Sequence, residues 1–391
     1  MGARQLSAIL HAPTWVGRLV RVTNSPPRPD AGGAARSMGR HRGGRIEDAM
    51  NRVVARVLWR RGWRTTVLPY AGYGGQGWIR VLARAALVPA APPGPARGGA
   101  ADPVDLPPDA VPRIRGWRHL VTAQVEGVAV EVRAGSSSHR TVSDHGGYLD
   151  VTLPVDLAPG WHQVELTYAG GRVSAPVYVV APDVTAGIVS DIDDTVMITS
   201  APRPLLAVWN TFVVHEGTRR PVPGMADLYG DLLRDHPGAP VIYLSTGAWN
   251  AAPALVRFLR RFDYPAGPLL LTDWGPTRTG WFRDGFDHKR AALRRLTTEF
   301  PHIRWILVGD DGQRDPEIYA ELALEQPDRV RAIAIRQLSG AEQVIVHGSP
   351  AKPTAGHVAL RLAAAAGVPV IAARNGARLA EGLREADIDL T

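Results

Sequence analysis

The stretch Gly187-Ile188-Val189-Ser190-Asp191-Ile192-Asp193-Asp194-Thr195-Val196-Met197-Ile198-Thr199 carries a short apolar run straight into carboxylates. Such a run reads as a buried strand whose C-terminal end opens into a crevice, where parallel α/β sheets bind ligands. Side chains alternate along a strand, so Asp191 and Asp193 share a face at roughly 6.6 Å, twice the rise per residue. Two carboxylates that close repel by about 2 kcal/mol at an effective dielectric near 20. One of them keeps its proton unless a cation intervenes. That asymmetry suits phosphoryl transfer: the ionised carboxylate attacks phosphorus, and its protonated neighbour protonates the leaving oxygen and later activates water. The plainer reading is a solvated or calcium-binding acidic loop.

Working outward toward the C-terminus, short apolar runs alternate with helical patterns. The runs are Ala186 to Ser190, Pro240 to Ser245, Leu269 to Thr272, Trp305 to Gly309 and Val330 to Ile335. Between them, Met225 to Arg234, Ala252 to Arg261, His288 to Phe300 and Asp315 to Leu324 read as helices. This alternation predicts a doubly wound, Rossmann-like parallel sheet with active residues at the strand ends. A strand-like Val368 to Ala372 and a helix-like Ala377 to Glu385 are expected to complete it.

The strand ends carry further chemistry. Ser245-Thr246-Gly247 offers a hydroxyl and backbone N–H groups that can hold a phosphoryl oxygen, though Ser and Thr are also common helix caps. Lys289 opens a helix; the chain has one other lysine, Lys352. A fixed cation there could neutralise a nucleophilic aspartate and a phosphate. Gly309-Asp310-Asp311-Gly312-Gln313-Arg314-Asp315 adds three acids, which with Asp191 and the backbone carbonyl of Asp193 make an oxygen-rich site of the type Mg²⁺ prefers.

The order DxDxT, Ser, Lys, GDxxxxD resembles the haloacid-dehalogenase-like superfamily of phosphohydrolases. The resemblance implies Asp191 as nucleophile, Asp193 as general acid and base, and Ser245 and Lys289 as stabilisers of the phosphoryl group. It also implies Mg²⁺ at Asp191, Asp193 and Asp310, with Asp315 supporting. Finer strings narrow it: Ser190 to Val196, Arg220 to Met225, Tyr243 to Asn250, Gly267 to Gly275 and Gly309 to Tyr319 look like the catalytic domain of the actin-patch-type phosphatidate phosphatases and their bacterial relatives. That implies Mg²⁺-dependent conversion of phosphatidate to diacylglycerol. Ala248, Thr272 and Asp311 depart from the family's strings, where proline, arginine and serine are expected.

The β-rich segment from Leu120 to Ala181 has short alternating strands such as Val128 to Val132 and a tight turn at Ala169-Gly170-Gly171, and suggests a small β-sandwich. The expected organisation is a disordered extension over 1–44, a basic amphipathic helix within 45–65, the sandwich over 66–182 with a Pro/Ala-rich loop at 89–112, and the catalytic part over 183–391. A small lid over 200–238 would leave the site open to large substrates. His215, Glu216, Arg219 and Arg220 in that lid, and Trp249 and Trp274 beside the motif loops, are candidates to touch substrate.

Charge is uneven. Residues 1–100 hold 16 arginines against 3 acids, or +13, whereas the whole chain is +8. Such an excess attracts an anionic surface such as lipid or nucleic acid, the plainer reading being a compositional bias for arginine; no nucleic-acid motif accompanies it. The absence of cysteine excludes disulfides and thiol chemistry, and with no leader pattern at Met1 to Gly17 it predicts a cytoplasmic protein, in contact with membrane through its basic part. No Walker A, GxSxG or HExxH string is present. The alternatives are a phosphatase of soluble phosphoesters or phosphoproteins, and a non-catalytic surface-binding protein. The oligomeric state is not legible.

Overall fold

The computed structural model describes residues 57–89, 124–198, 219–234, 236–272, 285–340, 342–343 and 355–388. The 1–44 extension, the basic helix as far as residue 56, nearly all of the 89–112 loop, His215, Glu216, Trp274 and Lys352 lie outside them. Residues 57–60 are helical, and a strand begins three residues later at Trp63, so the segment 45–65 is not helix throughout.

The β-rich part is one seven-stranded sheet instead of the two packed sheets expected of a sandwich. Its strands are β1 (Trp63–Gly75), β2 (Trp78–Pro89), β3 (Ala129–Ala134), β4 (Ser137–Val142), β5 (Tyr148–Pro154), β6 (Gly160–Tyr168) and β7 (Gly171–Val179), in the order β4-β3-β6-β7-β1-β2-β5. All pairings are antiparallel except β1 with β7. Val67, Ile79, Val81, Val132, Leu153, Val164 and Val177, from six different strands, form a single cluster. A sheet that packs one face against itself must curl, and this one is nearly barrel-like. The long hairpin β1–β2 makes it possible: a bulge lies between Tyr70 and Tyr73, and a Cβ at Gly72 would meet the Arg80 carbonyl oxygen at 2.2 Å.

The opposite face of that hairpin packs on the α/β part. Tyr70, Tyr73 and Leu82 belong to the same core cluster as the strands that follow. Phe300 sits at the junction with ring centroids 6.0 Å from Tyr73, 5.3 Å from Trp78 and 6.1 Å from Trp305. Phe300→Ala should cost about 3–5 kcal/mol, the usual range for deleting a buried aromatic side chain. Urea unfolding reads this directly; an unchanged midpoint would mean that the junction does not contribute to stability.

The α/β part follows the predicted alternation. Strands β8 (Ala186–Ser190), β11 (Val241–Ala248), β12 (Leu269–Thr272), β13 (Arg304–Asp310), β14 (Val330–Arg336) and β15 (Val370–Ala373) make a six-stranded, wholly parallel sheet in the order β12-β11-β8-β13-β14-β15. β8 is buried at every position, as a strand covered on both faces must be. The helices are α1 (Met225–Arg234), α2 (Ala252–Arg261), α3 (Gly285–Glu299), α4 (Asp315–Glu325), α5 (Ala355–Ala365) and α6 (Gly376–Glu385). A short ribbon, β9 (Met197–Ile198) with β10 (Arg220–Pro221), follows the acidic turn. Of the lid expected over 200–238, residues 200–218 and 235 lie outside the described residues. The rest of that span includes α1, which buries Met225, Leu228 and Tyr229 in the core and is therefore part of the body.

Candidate active site

Strand order places the site. β8 lies between β11 and β13, so the C-terminal ends carrying Asp191, Ser245 and Asp310 are neighbours, about 4.8 Å apart per strand. Asp191 N–H donates to the Val308 carbonyl at 2.8 Å, which continues the β8–β13 ladder one residue past the strand. The chain then turns sharply. Val196 N–H reaches back to the Ile192 carbonyl at 3.0 Å, and Asp194 takes a left-handed φ of 58°, a conformation that Asp tolerates better than most residues.

Lys289, in the second turn of α3, lies between two of the acids. Its Nζ donates to Asp191 Oδ1 and to Asp315 Oδ1, both at 2.6 Å, and all three side chains are 1% exposed. Asp310 Oδ1 accepts the Gly312 N–H at 2.7 Å. The space is tight: a Cβ at Gly309 would stand 2.6 Å from Asp315 Oδ2. Oxygens of Asp191, Asp310 and Asp315 lie within 4.8 Å of one another, and the Oδ2 of each is buried without a hydrogen-bond partner.

Three buried carboxylates against one ammonium leave an excess of negative charge. Burial first, then Asp315 and Asp193, push the Asp191 carboxyl well above the ordinary range, against the opposing pull of Lys289. Burial, then Asp315, Asp191 and Asp194, do the same to Asp310. For Lys289 burial acts downward, but the two carboxylates outweigh it and hold the ammonium above its ordinary value. Three unpartnered buried oxygens on an anionic cluster are a donor set that fits a hard divalent cation.

The remaining predicted residues fall nearby. Ser245 is buried; its hydroxyl donates to Asp193 Oδ2 at 3.2 Å and accepts Gly247 N–H at 2.9 Å. The Asp193 carboxylate thus faces Ser245 and stands outside the cluster of Asp191, Asp310 and Asp315; the group expected from the sequence to reach a cation is the Asp193 backbone carbonyl, not this side chain. Thr272, one of the departures, donates to the Thr246 carbonyl at 2.7 Å and so ties β12 to the Ser245 loop. Asp311 accepts Leu338 N–H at 2.8 Å. Arg219 is half-buried near Asp193 and Asp194; burial pulls its guanidinium down to about 10 against those two charges, so it stays cationic at neutral pH.

Arg336 has no counterpart among the expected residues. It is buried at the C-terminal end of β14, donates Nη1 to the Asp194 carbonyl at 2.7 Å, and pairs with Glu342. It clamps the turn that presents Asp193. The rule that strand ends carry function could have singled it out, but among many arginines it has no distinguishing sequence signal.

Residues 186–337 match the family model of the catalytic domain of phosphatidate phosphatase APP1. Every residue of the cluster lies within that match. The phosphatidate phosphatase APP1 of Saccharomyces cerevisiae is 25% identical over 218 residues, covering 54% of this chain and 37% of the yeast protein. An uncharacterized protein of Schizosaccharomyces pombe is 26% identical over 152 residues, 39% of this chain and 25% of its own length. The chain therefore spans well under half the length of these curated relatives. A solved carbohydrate acetylesterase from Xanthomonas citri aligns with 82% of this chain and 73% of its own at a TM-score of 0.33 and 10% identity, too distant to carry an argument.

Proposed function

We propose that the chain is a Mg²⁺-dependent phosphoric monoester hydrolase that converts phosphatidate to diacylglycerol and phosphate through an aspartyl-phosphate. The observation that supports this reading is the meeting of Asp191, Asp310 and Asp315 around Lys289, with three unpartnered oxygens, inside the segment similar to a phosphatidate phosphatase catalytic domain.

An Asp191 oxygen attacks phosphorus, and the bond from phosphorus to the glycerol oxygen breaks. Asp193, protonated, gives its proton to that leaving oxygen; it then takes a proton from the water that cleaves the aspartyl-phosphate, which releases phosphate and restores Asp191. Ser245 and Lys289 hold phosphoryl oxygens, and Lys289 keeps Asp191 oriented between attacks. Asp191 and Asp310, with Asp315 behind them, would hold the Mg²⁺, whose chemistry is to neutralise charge on the phosphoryl oxygens. The basic residues 1–100 supply attraction to an anionic membrane surface, from which a lipid substrate would be drawn on the cytoplasmic side.

The test is phosphate release by the full chain from phosphatidate in mixed micelles and from p-nitrophenyl phosphate, each with Mg²⁺ or EDTA. Mg²⁺-dependent release from the lipid is expected, and Asp193→Asn should lower it by roughly 10²–10⁴-fold, the span of an acid–base contribution. Release from the soluble ester alone would sink the lipid assignment and keep the chemistry. No release from either would favour the non-catalytic reading.

A further inference from the structure

Where β1, β2 and β5 of the curled sheet meet α3, β12 and the residue after β11, they line a cavity of about 180 Å³ that is open to solvent on one side. β12 is two strands from β8, so the cavity stands about 10 Å to the side of the Asp191 strand end. His288 lines it, while the adjacent Lys289 points to the carboxylates. The two spaces lie on different sides of the start of α3.

The lining combines aromatic rings with charges of both signs. Tyr70 and Trp249 have centroids 4.5 Å apart at 30°, and Tyr148 lies 6.1 Å from Trp249, so three rings make one wall. Asp144, Asp150 and Arg295 make the polar side. Asp144 Oδ1 accepts Tyr148 N–H at 2.8 Å, and a carboxylate has lone pairs to spare for a ligand. Asp150 pairs with Arg80 and, at 3.4 Å, with Arg295. The Arg295 Nε–H is buried and has no hydrogen-bond partner, which is costly unless a ligand or water accepts from it.

We infer that this cavity is a binding site for one neutral, ring-sized polyhydroxyl compound, a cyclitol or a single sugar. Its volume of about 180 Å³ has room for a six-membered ring with its hydroxyls. Carboxylate acceptors and a guanidinium donor suit hydroxyls, which both donate and accept, and the rings suit the apolar C–H face of such a molecule. An acyl chain would leave the buried Arg295 Nε–H without an acceptor. A phosphate would face Asp144 and Asp150, and an ammonium would face the Arg295 guanidinium.

Titration calorimetry on the full chain with myo-inositol, glucose, choline and sulfate tests this without any turnover, so its outcome is independent of the phosphatase reading. One-to-one binding of myo-inositol or glucose in the millimolar range is expected, with none for choline or sulfate. Arg295→Met and Asp144→Ala should each weaken it about tenfold, the usual effect of losing a charged hydrogen-bond partner. If Arg295→Met fails to fold, the exposed Asp144 still decides. No binding of either ring compound, binding of sulfate or choline instead, or binding unaffected by both variants would overturn the proposal and leave the cavity a water-filled seam.

Discussion

Asp191→Asn is expected to lower phosphate release by roughly 10⁴-fold or more, the scale seen when a nucleophile is removed from a group of residues that act together. The substitution keeps the shape and lets the amide oxygen still accept from Lys289, which now sits 2.6 Å from Asp191 Oδ1. It takes away the negative charge that must attack phosphorus, and with it one of the three carboxylates of a buried cluster. Since burial and the neighbouring acids disfavour that charge, the variant should unfold at the same denaturant concentration as the parent or a higher one. Loss of activity with undiminished stability is therefore the signature. Retention of more than about a hundredth of the parent rate would remove Asp191 from the nucleophile's role, because an auxiliary electrostatic contact is worth only about 10²–10³-fold.

Lys289→Met should have the second largest effect, on stability as well as turnover. The ammonium is the single cation that touches Asp191 and Asp315 directly among the described residues, and its removal leaves buried carboxylates uncompensated. Breaking a buried ion pair from one side costs about 3–5 kcal/mol. The loss should depend on pH with a definite sign. Asp191 and Asp310 are held above the ordinary value of 3.8, so above that pH the metal-free native state binds more protons than the unfolded chain. Its stability must then fall as pH rises from 3.8 through the raised values. Without Lys289 the fall should steepen, and added Mg²⁺ should recover part of it in both proteins. Denaturant titrations at acid and neutral pH with Mg²⁺ or EDTA would show this, and a Lys289→Met protein as stable as the parent at neutral pH would contradict the pairing.

Both predictions concern residues that could be named from the sequence, and the reason is local. An apolar run ending in Asp191-Ile192-Asp193, a Ser after the next run and a GD pair after another are short-range patterns, and strand periodicity alone puts them at strand ends. The same periodicity marked α1, α2, β8 and β12 where they are found. What it left open are relations between residues distant in the chain. That Lys289 would bridge Asp191 and Asp315, that the Asp193 carboxylate would turn to Ser245, and that Arg336 would hold the Asp194 carbonyl from 142 positions away depend on which strands become neighbours. The same holds for the curled sheet that replaces a sandwich: each strand shows which of its faces is apolar, but not whether that face meets a second sheet or its own. The seam cavity exists only because the two parts pack together along α3. Alternation and composition are properties of a few consecutive residues and survive in the sequence; strand pairing, burial and the resulting proton affinities are set by contacts made after the chain has folded, and only the tertiary structure decides them.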